Sequence, residues 1–93
     1  MNAKEICNNE DLFNYLVLIG NKLKACNHES LGEEVIMASQ FAIGSASEFL
    51  HEAQIVLMKI EKIRPNALSS EELQDIQIVI KKIKVSFRNI GGA

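Results

Sequence analysis

The sequence predicts an all-α protein, and three observations predict it. Apolar residues recur at three- and four-residue spacing along most of the chain. No stretch shows the period-two alternation of a half-buried strand. Only five Gly and one Pro punctuate 93 residues, so few, long elements are expected. The length suits a single domain spanning residues 1–93. A chain of this size buries only about 60–65% of its unfolded surface, which gives it a small core.

The first helix is predicted from about residue 9 to 26. Leu12, Leu16, Ile19, Leu23 and Cys26 follow a four-three-four-three spacing, which lines up one buried face. Asn8 or Asn9 suits its start, because a short side-chain oxygen accepts a hydrogen bond from an unpaired first-turn amide. Glu10 and Asp11 then sit favourably at the positive end of the helix dipole.

The second helix is predicted from about residue 30 to 64. Ser30 and Glu33 have capping-box spacing, and Arg64–Pro65 supplies a stop. One face of this segment is a wide apolar stripe: Val35, Ile36, Ala42, Ile43, Phe49, Leu50, Ala53, Val56, Leu57, Ile60 and Ile63. Ser39, Ala42, Ala46 and Ala53 are small, so a neighbouring helix is expected to approach there. The opposite side is not polar, for it carries Met37, Phe41, Gly44, His51, Ile55 and Met58. A helix that is apolar on two sides calls for packing on both.

The third helix is predicted from about residue 70 to 90. Ser69 and Glu72 form a second capping box. Leu73, Ile76, Ile80, Ile83, Phe87 and Ile90 hold one face, widened by Val79. Ile78 and Val85 lie on the far side amid Lys81, Lys82, Lys84 and Arg88. The Gly91–Gly92–Ala93 sequence ends the helix.

Length constrains how these pieces assemble. A helix of about 34 residues is roughly 51 Å long, whereas a compact globule of this size is only about 32 Å across. The expected arrangement is therefore an elongated three-helix protein, with the first and third helices folded back antiparallel along a long central one. The alternative is a four-helix bundle, reached if the central helix breaks near Gly44. A lone glycine inside a helix costs only about 1 kcal/mol, which favours continuity.

Charge narrows the function. The net charge of −2 argues against a dedicated nucleic-acid binder. Residues 1–55 hold eight acids against three lysines (−5), and residues 56–93 hold seven bases against four acids (+3). That polarity suits antiparallel self-association or a charged partner. The basic third helix, with Lys81, Lys82, Lys84 and Arg88, has no interleaved aromatic residues to stack bases, so a nucleic-acid regulator is only an alternative. Residues 1–9 contain no apolar targeting stretch, and Tyr15–Ile19 is too short an apolar run to span a bilayer. A cytoplasmic protein with free thiols at Cys7 and Cys26 is expected, with no membrane role.

Catalytic chemistry finds little support. Cys26 and His28 are two apart, a spacing that does not share a helix face, and Cys26 completes an apolar stripe; a buried structural thiol is expected. Glu48 and His51 are three apart and do share a face, as a metal-binding bundle requires, but such a site also needs carboxylates from facing helices. A zinc site from Cys7, Cys26, His28 and His51 lacks paired-ligand spacing. No glycine-rich phosphate loop is present. The reading is a non-catalytic helical interaction protein without a cofactor, homodimeric, acting as an adaptor, small chaperone, immunity-type inhibitor or regulatory subunit. Its interaction surface is Met37, Phe41, Gly44, His51, Ile55 and Met58.

Overall fold

A computed structural model of the chain describes residues 3–91, without the side chains of 89–91. All regular elements among the described residues are helical. A short 3₁₀ turn at Ala3–Glu5 precedes α1 (Asn9–Ala25), α2 (Glu29–Gln40), α3 (Ala46–Ile63) and α4 (Ser70–Gly91), with a second 3₁₀ turn at Phe41–Ile43 between α2 and α3. Short connections reverse the chain each time, giving an up-down-up-down four-helix bundle.

The long central helix is thus two helices. The break falls at residues 41–45, where Gly44 has a ψ of −140° and leaves the helical basin. Ser45 then caps α3: its hydroxyl accepts the Glu48 N–H at 3.3 Å. The gain comes from packing. Folding α3 back onto α2 lets both bury their apolar stripes in one core, and the molecule measures 39 × 24 × 21 Å, too short for a rod of about 51 Å. Burial of several large side chains outweighs the modest local cost of a reversal.

The capping signals divide. Asn8 caps α1, its Oδ1 accepting the Asp11 N–H at 2.8 Å. The Ser69–Glu72 box is complete, with Glu72 N–H donating to Ser69 Oγ (3.1 Å) and Ser69 N–H donating to Glu72 Oε1 (2.8 Å). The Ser30–Glu33 box does not form. α2 begins at Glu29, with His28 in the cap position and the Gly32 N–H bonded to its carbonyl, so Ser30 already lies inside the first turn.

The core draws on every helix. Leu12, Leu16, Ile19 and Leu23 of α1 meet Leu31 and Val35 of α2, Phe49, Leu50, Ala53, Leu57 and Ile60 of α3, and Leu73, Ile76, Val79, Ile80 and Ile83 of α4. Phe87 packs at its edge, and the Ile90 side chain lies outside the described residues. Several expected core positions are not in the core: Ile36 is only partly buried, and Ala46 is exposed at the start of α3. Cys26 is exposed because α1 ends at Ala25 and Asn27 turns the chain with a φ of 68°, so the helical register no longer applies. Ile43 is 92% exposed because it sits in the connecting turn, and Ile63, the last residue of α3, is half exposed. A close helix approach also falls at Gly20 of α1 and Gly32 of α2.

Polar ties fix the ends of the bundle. Lys22 of α1 grips both carboxylate oxygens of Glu72 on α4 at 2.6 Å. Lys59 of α3 bridges to Glu34 of α2 at 2.8 and 2.9 Å. At the far end, Lys82 donates to the carbonyls of Ala3 (2.6 Å) and Ile6 (2.9 Å), tying the N-terminal turn to α4.

Candidate functional site

The break in the central helix divides the expected interaction surface. Met37 lies on α2, Phe41 and Gly44 lie in the connection at one end of the bundle, and His51, Ile55 and Met58 lie on α3. All six are solvent-exposed, Met37 at 63%, Ile55 and Met58 at 48% and Phe41 at 37%. Residues expected along one side of a single rod are therefore redistributed, and the outer face of α3 becomes the continuous part.

On α3 the inward residues are Phe49, Leu50, Ala53, Val56, Leu57 and Ile60. Opposite them run Glu48, His51, Ile55, Met58 and Lys62, all exposed. Their spacing of three and four keeps them in one line along the helix. His51 flanks this line toward α4, its ring meeting Phe87 edge-on with centroids 6.5 Å apart. Lys59 flanks it toward α2 through its bridge to Glu34. Met37 is three residues beyond Glu34, and Ile55 is four before Lys59. Antiparallel pairing of the two helices thus sets Met37 and Ile55 at one level along the α2–α3 seam. The result is an apolar centre with an acidic residue at one end and a basic one at the other.

The catalytic and metal candidates do not assemble. The Nε2 of His28 meets Asn66 Oδ1 at 3.1 Å, across the α3–α4 connection, instead of turning toward Cys26. Glu48 and His51 share the outer line of α3, but no three His, Cys, Asp or Glu side chains converge in a metal-binding group among the described residues. Of the basic residues on α4, Lys82 is engaged with backbone carbonyls, while Lys81, Lys84 and Arg88 face solvent. No helix among the described residues is long and apolar enough to cross a membrane.

Two features were not anticipated from the sequence. A cleft of about 430 Å³ opens between the N-terminal segment and α4, floored by Leu12, Leu50, Val79 and Ile83 and edged by Cys7 and Lys82. The Tyr15 hydroxyl is buried with no hydrogen-bond partner among the described residues. Burial first, and then the Asp75 and Glu72 carboxylates, push its pKa up from the ordinary value of 10.0. Tyr15, three residues after Leu12 and four before Ile19, shares the buried face of α1, and that spacing is the signal by which its burial could have been found.

No protein-family model, curated protein or solved structure gives a match to this chain.

Proposed function

We propose that this chain is a non-catalytic interaction module that docks another protein through the outer face of α3 and the adjoining part of α2. The observation that carries this reading is the exposure of Ile55 and Met58, each 48%, in one line on α3, together with that of Met37 (63%) on the neighbouring α2. The bundle leaves this strip uncovered although its own core is complete. Contiguous exposed apolar side chains rimmed by charge mark interaction sites, and methionine adapts to irregular partner surfaces because its thioether chain is flexible and polarizable. The roles that fit are those of an adaptor, small chaperone, inhibitor or regulatory subunit in the cytoplasm. A second copy of the chain is the partner argued below.

Size-exclusion of lysate from the native host tests the docking role. The chain should elute well above its 10.4 kDa mass, and Ile55→Glu with Met58→Glu should return it to the monomer position. Elution at 10.4 kDa both in lysate and when purified at high concentration would refute it.

A further inference from the structure

We infer that the occupant of this face is a second copy of the chain, its α3 packed antiparallel to the first across a two-fold axis at Ile55. The inference rests on the docking role proposed above and names its partner. The outer line of α3 reads Glu48, His51, Ile55, Met58, Lys62, with Glu48 and Lys62 each seven residues from Ile55. A two-fold axis at Ile55 therefore brings Ile55 against the partner's Ile55 and Glu48 against the partner's Lys62. The reciprocal pair, Lys62 with the partner's Glu48, forms at the other end, as an isologous interface demands.

Charge disfavours the parallel arrangement. A parallel pairing sets Glu48 against the partner's Glu48 and Lys62 against the partner's Lys62. Like charges brought together at an interface are disfavoured. The antiparallel register centred on Ile55 meets opposite charges at both ends and apolar side chains in the middle. Glu48 and Lys62 are about 21 Å apart along their own helix, so they cannot satisfy each other within one subunit. Lys59 and His51, which also meet in this register, already have partners in their own subunit, Glu34 and Phe87.

The test uses the purified full chain. Sedimentation equilibrium at tens of micromolar should give twice the 10.4 kDa mass. Glu48→Lys alone and Lys62→Glu alone should each weaken dimerisation about tenfold, and the double exchange should restore it to within about threefold, because each single change creates two repulsive pairs across the axis. Circular dichroism reports whether each variant folds. Independently, with Cys7→Ser and Cys26→Ser removing the native thiols, Ile55→Cys should oxidise to a covalent dimer, whereas Gln77→Cys on the exposed side of α4 should not. A monomer at these concentrations overturns the pairing, as does a dimer that Ile55→Cys fails to cross-link or that the double exchange fails to restore. A purified monomer that still runs large in lysate, in an Ile55-dependent way, would sink self-pairing and leave docking to a different protein standing.

Discussion

Gly20 and Gly32 touch backbone to backbone across the α1–α2 seam. A Cβ at position 32 would stand 2.6 Å from the Gly20 carbonyl oxygen and 2.9 Å from the Lys24 nitrogen, and one at position 20 would stand 3.1 Å from the Gly32 carbonyl. Glycine at both positions is what lets α1 and α2 pack this closely.

Gly32→Ala should therefore force the two helices apart. The overlap is with backbone, which cannot rotate away, so a loss of about 2–3 kcal/mol is expected, the range of overpacked cores. Gly20→Ala should cost less, because its nearest neighbour is the Ile36 side chain, which has rotamers to move into. At Gly44 a Cβ meets nothing nearer than the Phe41 carbonyl at 3.7 Å, making Gly44→Ala the control. Urea denaturation of the three variants checks the order; equal effects at positions 32 and 44 would contradict it.

Tyr15→Phe should leave stability unchanged or raise it by up to about 1 kcal/mol, since it removes a buried hydroxyl that has no partner among the described residues. Tyr15 is also the sole tyrosine, so its ionisation can be read directly by near-ultraviolet absorbance. Its pKa in the folded chain is raised by burial, so the fold holds the phenol neutral and loses stability as pH rises above 10.0, where the unfolded chain ionises. The wild type should lose stability above pH 10.0 more steeply than Tyr15→Phe. Parallel alkaline curves would show that the phenol is not held neutral by the fold.

Glu72 gives the opposite pH dependence. Burial works to raise its pKa, but the hydrogen bonds from Lys22 and from Ser69, with the Lys22 charge, outweigh that and leave it below the ordinary 4.5. A depressed carboxyl pKa contributes stability that is present above 4.5 and lost as pH falls through the folded-state value. Glu72→Gln should thus be less stable than wild type at neutral pH, and the gap should close on acidification below about pH 4. Thermal melts at stepped pH check this; a gap that stays constant would mean that the Lys22 and Ser69 contacts do not depend on charge.

Arg64 closes α3 in the left-handed region, with φ 50° and ψ 61°, its N–H donating to the Ile60 carbonyl at 2.8 Å. A side chain pays a steric penalty there that glycine does not. Arg64→Gly should raise stability by about 0.5–1 kcal/mol, measured by the denaturation midpoint. A loss instead would show that the Arg64 side chain makes a stabilising contact.

Much of the fold is legible in the chain itself. The identity and facing of the helices follow from neighbours three and four residues apart, because a helix places those residues on one side whatever surrounds it. Leu12, Leu16, Ile19 and Leu23 are buried as that spacing requires, and so are Leu73, Ile76, Ile80 and Ile83. The caps at Asn8 and Ser69 are local hydrogen bonds and were equally readable. Ser45 and Glu48 carry the same cap spacing inside the long central segment, and that pair is the signal by which the break could have been found.

Tertiary structure decided what local spacing cannot. A helix passes through Gly44 at a cost of only about 1 kcal/mol, so nothing nearby forces a break. The reversal wins because it folds α3 back on α2 and closes a shared core, a gain that depends on residues far apart in sequence. The single outer line of α3 descends from that choice, and the close approach at Gly20 and Gly32 likewise depends on how two helices pack. Periodicity determined which side chains share a face; only the packed bundle determined which of those faces would be left open to solvent.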